Sequence, residues 1–366
     1  MRTIQKLTLL SCVLAIPATI FADFSYQETT QITGGSMLSM IRMAGALSAQ
    51  ARKAGEPVVS SVYLSGNRLA HVSPDNIEII DLDQETITHI DTAKRTYTVM
   101  TFQQMKDQMA RAQQEMEKRQ AEHPAAAPAP NPDADKVKMS FDVHVRKTGT
   151  VRQVSGLATT EAIMTMMMNA TDQTTNQTGT MAITNDMWLV PEIPGYAQVR
   201  DFYMRMAAKM GTMPAATGMD FSRMLAQNPG ASQGLAEMAK EMRKIQGVPV
   251  MQVMRMGTTT DGKPLPAASE APLPPDSTQP MPSGGDMAKQ GLASTLTSHL
   301  PFGGFGKKKQ DDPPPAKQDS KTPPPTSAVL MESQTTSSNF SSAPIDPSHF
   351  DVPAGYKLIQ SPMDKR

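Results

Sequence analysis

The sequence predicts an α+β fold, a large antiparallel sheet with a few helices against one face. Three observations carry that expectation. Short segments of two-residue alternation recur between Ser61 and Thr101 and again from Lys136 onward. Only a few stretches carry a 3.6-residue apolar period. No period of 20–50 residues recurs, which excludes solenoids and propellers.

The first segment is not part of the fold. Arg2 and Lys6 precede an apolar run from Leu7 to Ala22 that is interrupted by Thr8, Ser11, Pro17 and Thr19. A charged start, a short apolar stretch and small residues at its end predict a secretory signal over 1–22 with cleavage after Ala22. A membrane-spanning reading needs about 20 mostly apolar residues, and Pro17 with the polar positions argues against it. Leu9-Leu10-Ser11-Cys12 has the form of a lipobox, but little apolar sequence precedes Cys12 and more follows it. Without residues 1–22, which include Arg2, Lys6 and Cys12, the remaining 344 residues carry 33 basic and 35 acidic side chains and no cysteine. That balance gives no footprint for nucleic acid, and a chain without cysteine holds no disulfide framework, zinc–thiolate cluster or thiol nucleophile. No later segment is apolar enough to span a bilayer.

Residues 23–120 read as strand, helix, meander and helix. Asp23–Thr33 is a Thr-rich strand. Ser36–Ala54 is a helix with Met37, Met40, Ile41, Ala44, Leu47 and Ala51 on one face. Strands follow at Ser61–Leu64 and Arg68–Val72 around a Ser65-Gly66-Asn67 turn, then at Ile77–Leu82, Glu85–Asp91 and Thr96–Thr101. Thr101 and Gln104 form a capping box for a second helix striped by Phe102, Met105, Met109, Ala112 and Met116. Residues 121–135, with four prolines among alanines, are a stiff Pro/Ala linker.

Residues 136–256 form the second part of the sheet with its helices. Lys136–Arg146 alternates without a break, which predicts one buried and one wet face. Further strands are expected at 150–157, 161–169, 178–184, 187–190 and 248–256, with helices at 197–210 and 219–245. Residues 257–327 hold 14 of the 30 prolines and read as a disordered insertion that cannot bury enough apolar surface to order itself. Residues 328–366 supply a final strand, 328–337, and a C-terminal segment. Two separate α+β domains joined at 121–135 are the alternative.

Catalytic chemistry is hard to find. His71, His89, His123, His144, His299 and His349 show no metal-ligand spacing. There is no Gly-x-Ser-x-Gly elbow, and Gly303-Gly304-Phe305-Gly306-Lys307-Lys308 lacks the Ser/Thr and the strand that a phosphate loop needs. Asp81-Leu82-Asp83-Gln84-Glu85 reads as a polar hairpin turn, since it has no glycine at the sixth position of a calcium loop. No catalytic residue, cofactor or metal ligand is assigned, and an enzyme is the least supported class.

Methionine is the unusual signal, at 30 residues. Met164, Met166 and Met168 share one strand face with Ala162, while Met167 points the other way. Met204, Met206, Met210 and Met213 follow, then Met251, Met254 and Met256. Thioethers suit soft ions such as Cu(I). They also serve as flexible core filler or line an adaptable apolar groove.

Three short motifs point to a family. They are Phe350-Asp351-Val352-Pro353-Ala354-Gly355-Tyr356, Trp188-Leu189-Val190-Pro191, and Ile80-Asp81-Leu82 leading to Asp91-Thr92-Ala93-Lys94-Arg95-Thr96-Tyr97. Together they resemble an uncharacterised family of exported bacterial proteins, which is similar to the lipoprotein-carrier (LolA/LolB-like) half-barrel. The resemblance spans most of 23–256 and 328–360. It implies an incurved antiparallel sheet with helices on its concave face and an apolar cavity for acyl chains. The insertion at 257–327 departs from the carrier pattern, and no lipid-contact residue carries over. Fold transfers more safely than function.

Two function classes follow. One is an exported, non-enzymatic carrier or sensor with a lipid or other apolar small molecule between sheet and helices, in the periplasm or cell envelope of a bacterium or secreted. Its ligand-binding candidates are Met37, Met40, Ile41, Ala44 and Leu47. The other is a structural or interaction protein of the envelope with a closed core.

Overall fold

The computed structural model describes residues 23–48, 52–53, 55–122, 137–172, 178–210, 237–238, 240–273 and 327–360. The expected signal at 1–22, the linker at 121–135 beyond Glu122, most of the helix expected at 219–245 and most of the insertion lie outside the described residues.

Twelve strands form one open sheet. In chain order they are β1 (Phe24–Gly34), β2 (Val58–Ser65), β3 (Arg68–Val72), β4 (Asn76–Asp81), β5 (Thr86–Asp91), β6 (Thr96–Thr101), β7 (Val137–Val154), β8 (Leu157–Asp172), β9 (Thr178–Val190), β10 (Val248–Thr259), β11 (Ser327–Ser341) and β12 (Lys357–Leu358). Their order across the sheet is β12-β6-β5-β4-β3-β2-β1-β11-β10-β9-β8-β7. Two meanders, β1 to β6 and β7 to β11, are thus joined where β1 pairs with β11. Every pairing is antiparallel except the short one between β12 and β6, which is parallel. An all-antiparallel sheet was expected. The exception arises because the C-terminal segment crosses the sheet before its Lys357 and Ile359 N–H groups reach the carbonyls of Arg95 and Tyr97.

Several local expectations match the structure. The capping box forms, with the Gln104 N–H donating to Thr101 Oγ1 at 3.1 Å and the Thr101 N–H to Gln104 Oε1 at 2.8 Å. Asp81 Oδ1 accepts from the N–H groups of Asp83 and Gln84, which makes the β4–β5 connection a polar turn. Other expectations need correction. The strands read at Lys136–Arg146 and 150–157 are one 18-residue strand, and those at 178–184 and 187–190 are also continuous. A register shift between Lys147 and Val151 absorbs the polar Thr-Gly-Thr stretch that had looked like a break. Order also runs past 257. β10 extends to Thr259, and Leu265 and Ala267 are buried. Pro- and Ser-rich composition hides these two apolar anchors.

Helix α1 (Ser36–Leu47) follows β1 through Gly35, whose φ of 89° suits glycine. A Cβ there would stand 2.6 Å from the Leu330 carbonyl oxygen. Helix α2 (Phe102–Glu122) leaves β6, and helix α3 (Tyr196–Met210) leaves β9. The main core gathers Phe24, Tyr26, Val62, Leu64, Leu69, Ile80 and Leu82 from the sheet with Phe102 of α2 and Val199 and Phe202 of α3. A second cluster covers the other face of the first meander. There Ala70, Ile79 and Ile90 meet Phe350, Val352 and Tyr356 of the C-terminal segment.

Candidate ligand-binding site

Residues opposite one another on paired strands share a face, so the register fixes what each face displays. One row runs Ile32–Ser333–Met254–Asn185–Met164–Val145 across β1, β11, β10, β9, β8 and β7. The next runs Met331–Met256–Ile183–Met166–Val143, and a third Thr258–Met181–Met168–Phe141. This face is continuous with the one that carries Phe24, Tyr26 and Glu28 on β1. Its two halves differ. In the first meander it is filled by buried aromatic and branched residues under α3. In the second, Met166, Met168, Met181, Met254 and Met256 are half-buried and belong to none of the four buried apolar clusters.

Helix α1 sits where the two halves meet. It packs on β1 and β11, and a groove of ≈ 520 Å³ opens beside it, lined by Ile32 of the Met-bearing row and by Leu38, Ile41 and Gly45 of the helix. Arg52 and Glu56 make its polar rim. Of the candidates read from the sequence, Ile41 alone lines the groove. Met37 is half-buried, Met40 is 39% exposed and Ala44 is exposed. The side chain of Leu47 lies outside the described residues. The inward stripe is Leu38, Ile41 and Gly45, at i, i+3 and i+7. Sequence reasoning missed it because Gly45 carries no apolar side chain to mark the stripe. Ile32 was missed as well, since alternation places it on a face without saying what packs there.

Farther along β1, beyond the main apolar core, the same face carries Glu28. Burial pushes the Glu28 carboxyl up, with His71 acting against it, and burial with Glu28 nearby pushes the Tyr203 phenol up to about 12.

The opposite face of the second meander carries a buried ionic cluster that sequence reading did not find. Arg255 Nη1 donates to the carbonyls of Pro266 and Ala267 at 2.9 and 3.1 Å, fastening residues 262–273 across the sheet. The Ser269 N–H donates to Asp186 Oδ2 at 3.1 Å, and Thr148 Oγ1 donates to Glu161. Burial raises Asp186 above the ordinary carboxylate range, and Glu161 beside it adds to the rise. Burial acts on Glu161 too, but hydrogen bonds from Ser269, Thr148 and Thr150 overcome it and hold that carboxyl low. Each carboxyl has one buried oxygen without a partner, Glu161 Oε1 and Asp186 Oδ1, and both are satisfied if Asp186 keeps a proton that Glu161 accepts. A raised and a lowered carboxyl side by side is an acid/base pattern. Here, however, their other contacts go to the strap and to the β7–β8 ladder, so they anchor structure. Among the described residues no group of three or more His, Cys, Asp or Glu is placed to hold a metal, and no helix is long and apolar enough to cross a membrane. No protein-family model matches the chain, and no curated protein matches it.

Proposed function

We propose that the protein is an exported, non-enzymatic carrier or sensor that holds a lipid or other apolar ligand between its sheet and helices. It acts in a bacterial periplasm or envelope, or outside the cell. The reading carries with it a sheet that curls inward, with the methionine-bearing face concave and helix α1 along its rim. One observation supports it above all. The groove beside α1 and the half-buried methionine face share the row that begins at Ile32, so an apolar chain leaving Ile41 and Leu38 meets Met254 and Met164 along it, with Ser333 and Asn185 between them. Methionine suits such a bed, because its flexible thioether repacks around chains of different shape. The resemblance to the lipoprotein-carrier half-barrel points the same way.

The test is native mass spectrometry, with organic extraction, of protein purified from the envelope of its own host, followed by titration with a fluorescent fatty acid. Co-purifying lipid and saturable probe binding are expected. A chain that carries no lipid and binds no probe is instead the structural protein with a closed core.

A further inference from the structure

The methionine face brings three thioethers to one corner. Met168 of β8 stands directly opposite Met181 of β9, and Met166 lies two residues along β8 on the same face. Directly opposed Cβ atoms are about 5 Å apart and diagonal ones about 7–8 Å. Residues two apart on a strand are separated by about 7 Å. A methionine sulfur lies two bonds beyond Cβ on a chain with free choice of staggered rotamers, so a common point above the sheet is within reach of all three sulfurs. All three side chains are half-buried, neither locked in a core cluster nor fully in water. Their row neighbours Phe141, Val143 and Ile183 are apolar, and Thr258 beside Met181 is uncharged. Such walls discourage hydrated hard cations, which favour charged oxygen ligands.

We infer that Met166, Met168 and Met181 form a Cu(I) site. Three neutral, soft thioethers offer nothing to Mg²⁺ or Ca²⁺ and little to Zn²⁺, and they match a soft monovalent ion. The only cysteine in the chain is Cys12, so no thiolate from residues 23–366 competes for the metal. The site stands apart from the groove at α1 and needs no apolar ligand for its function.

The experiment titrates the chain lacking residues 1–22 with Cu(I), kept reduced by ascorbate, against bathocuproine disulfonate. One tightly held Cu(I) per chain is expected. Changing Met166, Met168 and Met181 together to leucine, which nearly conserves volume, lowers the affinity at least about tenfold and leaves the circular dichroism spectrum intact. Met204→Leu, on the exposed side of α3, leaves the affinity unchanged. Thioethers have no proton to lose on binding, so affinity is equal at about pH 5.5 and about pH 7.5, unlike a site built on histidine or carboxylate. Failure to compete for Cu(I), full affinity in the triple variant, or a steep fall at the lower pH overturns the assignment. Should the triple variant unfold, Met181→Leu alone reads the same loss, and full affinity there overturns it equally.

Discussion

Arg255 Nε donates to Glu332 Oε2 at 2.7 Å, and this buried pair ties β10 to β11 on the face opposite the methionines. Arg255 is 1% exposed, and its guanidinium also holds the Pro266 and Ala267 carbonyls. Glu332 in turn accepts from Thr33 Oγ1 at 2.7 Å, which brings β1 into the same network. A buried ion pair is weak evidence of net stabilisation, but breaking one half of it leaves an unpaired charge in the interior.

Arg255→Met is therefore expected to cost about 3–5 kcal/mol of unfolding free energy, measured by urea denaturation. It also frees residues 262–273 for limited proteolysis. The double variant Arg255→Met/Glu332→Leu recovers part of the loss, because the stranded carboxylate is gone while the Pro266 and Ala267 carbonyls still lack their donor. A double variant as unstable as the single one refutes this account of the pair.

The groove at α1 makes a sharper distinction than the helix face read from sequence. Ile41→Trp fills the groove and is expected to abolish binding of a fluorescent fatty acid, with a melting temperature within a few degrees of the wild type. Overpacking a sealed core costs about 1–3 kcal/mol, and a large fall in melting temperature would assign Ile41 to such a core. Met40→Trp, at an exposed position that does not line the groove, leaves probe binding intact.

Asp186 gives the pH dependence. Its carboxyl is raised in the folded chain by burial and by Glu161, so the folded state binds its proton more tightly than the unfolded state. The associated stability is fully present below the ordinary carboxylate range and is lost as pH rises through the raised value. Asp186→Asn, which keeps a donor toward Glu161, is expected to flatten that decline. Melting temperatures measured across the acidic to neutral range check this, and parallel curves for the two proteins would remove the shared proton from the account.

Export is tested at the chain terminus. Protein isolated from its host is expected to begin at Asp23, as read by Edman degradation. A retained Met1 on cytoplasmic protein contradicts the secretory reading, and a lipid-modified Cys12 replaces it with membrane anchoring.

Much of the sheet was legible because alternation is a local signal. Val143 and Val145 are buried and His144 is exposed, as the pattern of β7 requires. The capping box at Thr101 and the turn at Asp81 were legible for the same reason, since their partners lie within a few residues. The site was less legible, because its parts meet only through register. Nothing local says that Ile32 shares a row with Met254 and Met164, or that Leu38 rather than Met40 turns inward. The cluster of Arg255, Glu332, Asp186 and Glu161 was invisible for a related reason. A charged residue in a strand reads as solvent-facing until the strap that covers it is known, and that strap lies in sequence whose composition argues against order.

The junction of the two meanders has a kinetic consequence. The ladder between β1 and β11 is at the centre of the sheet, yet it joins residues as far apart as Thr30 and Thr335. Such a pairing has very high contact order, and the entropy of closing that loop is spent before the pairing returns any stability. Until β11 arrives, β1 presents an open edge of unpaired backbone groups, the kind of edge that recruits other chains. The nascent chain therefore stays incompletely folded until nearly all of it has been made. If the chain is exported as proposed, that delay keeps it unfolded enough to pass through a membrane channel.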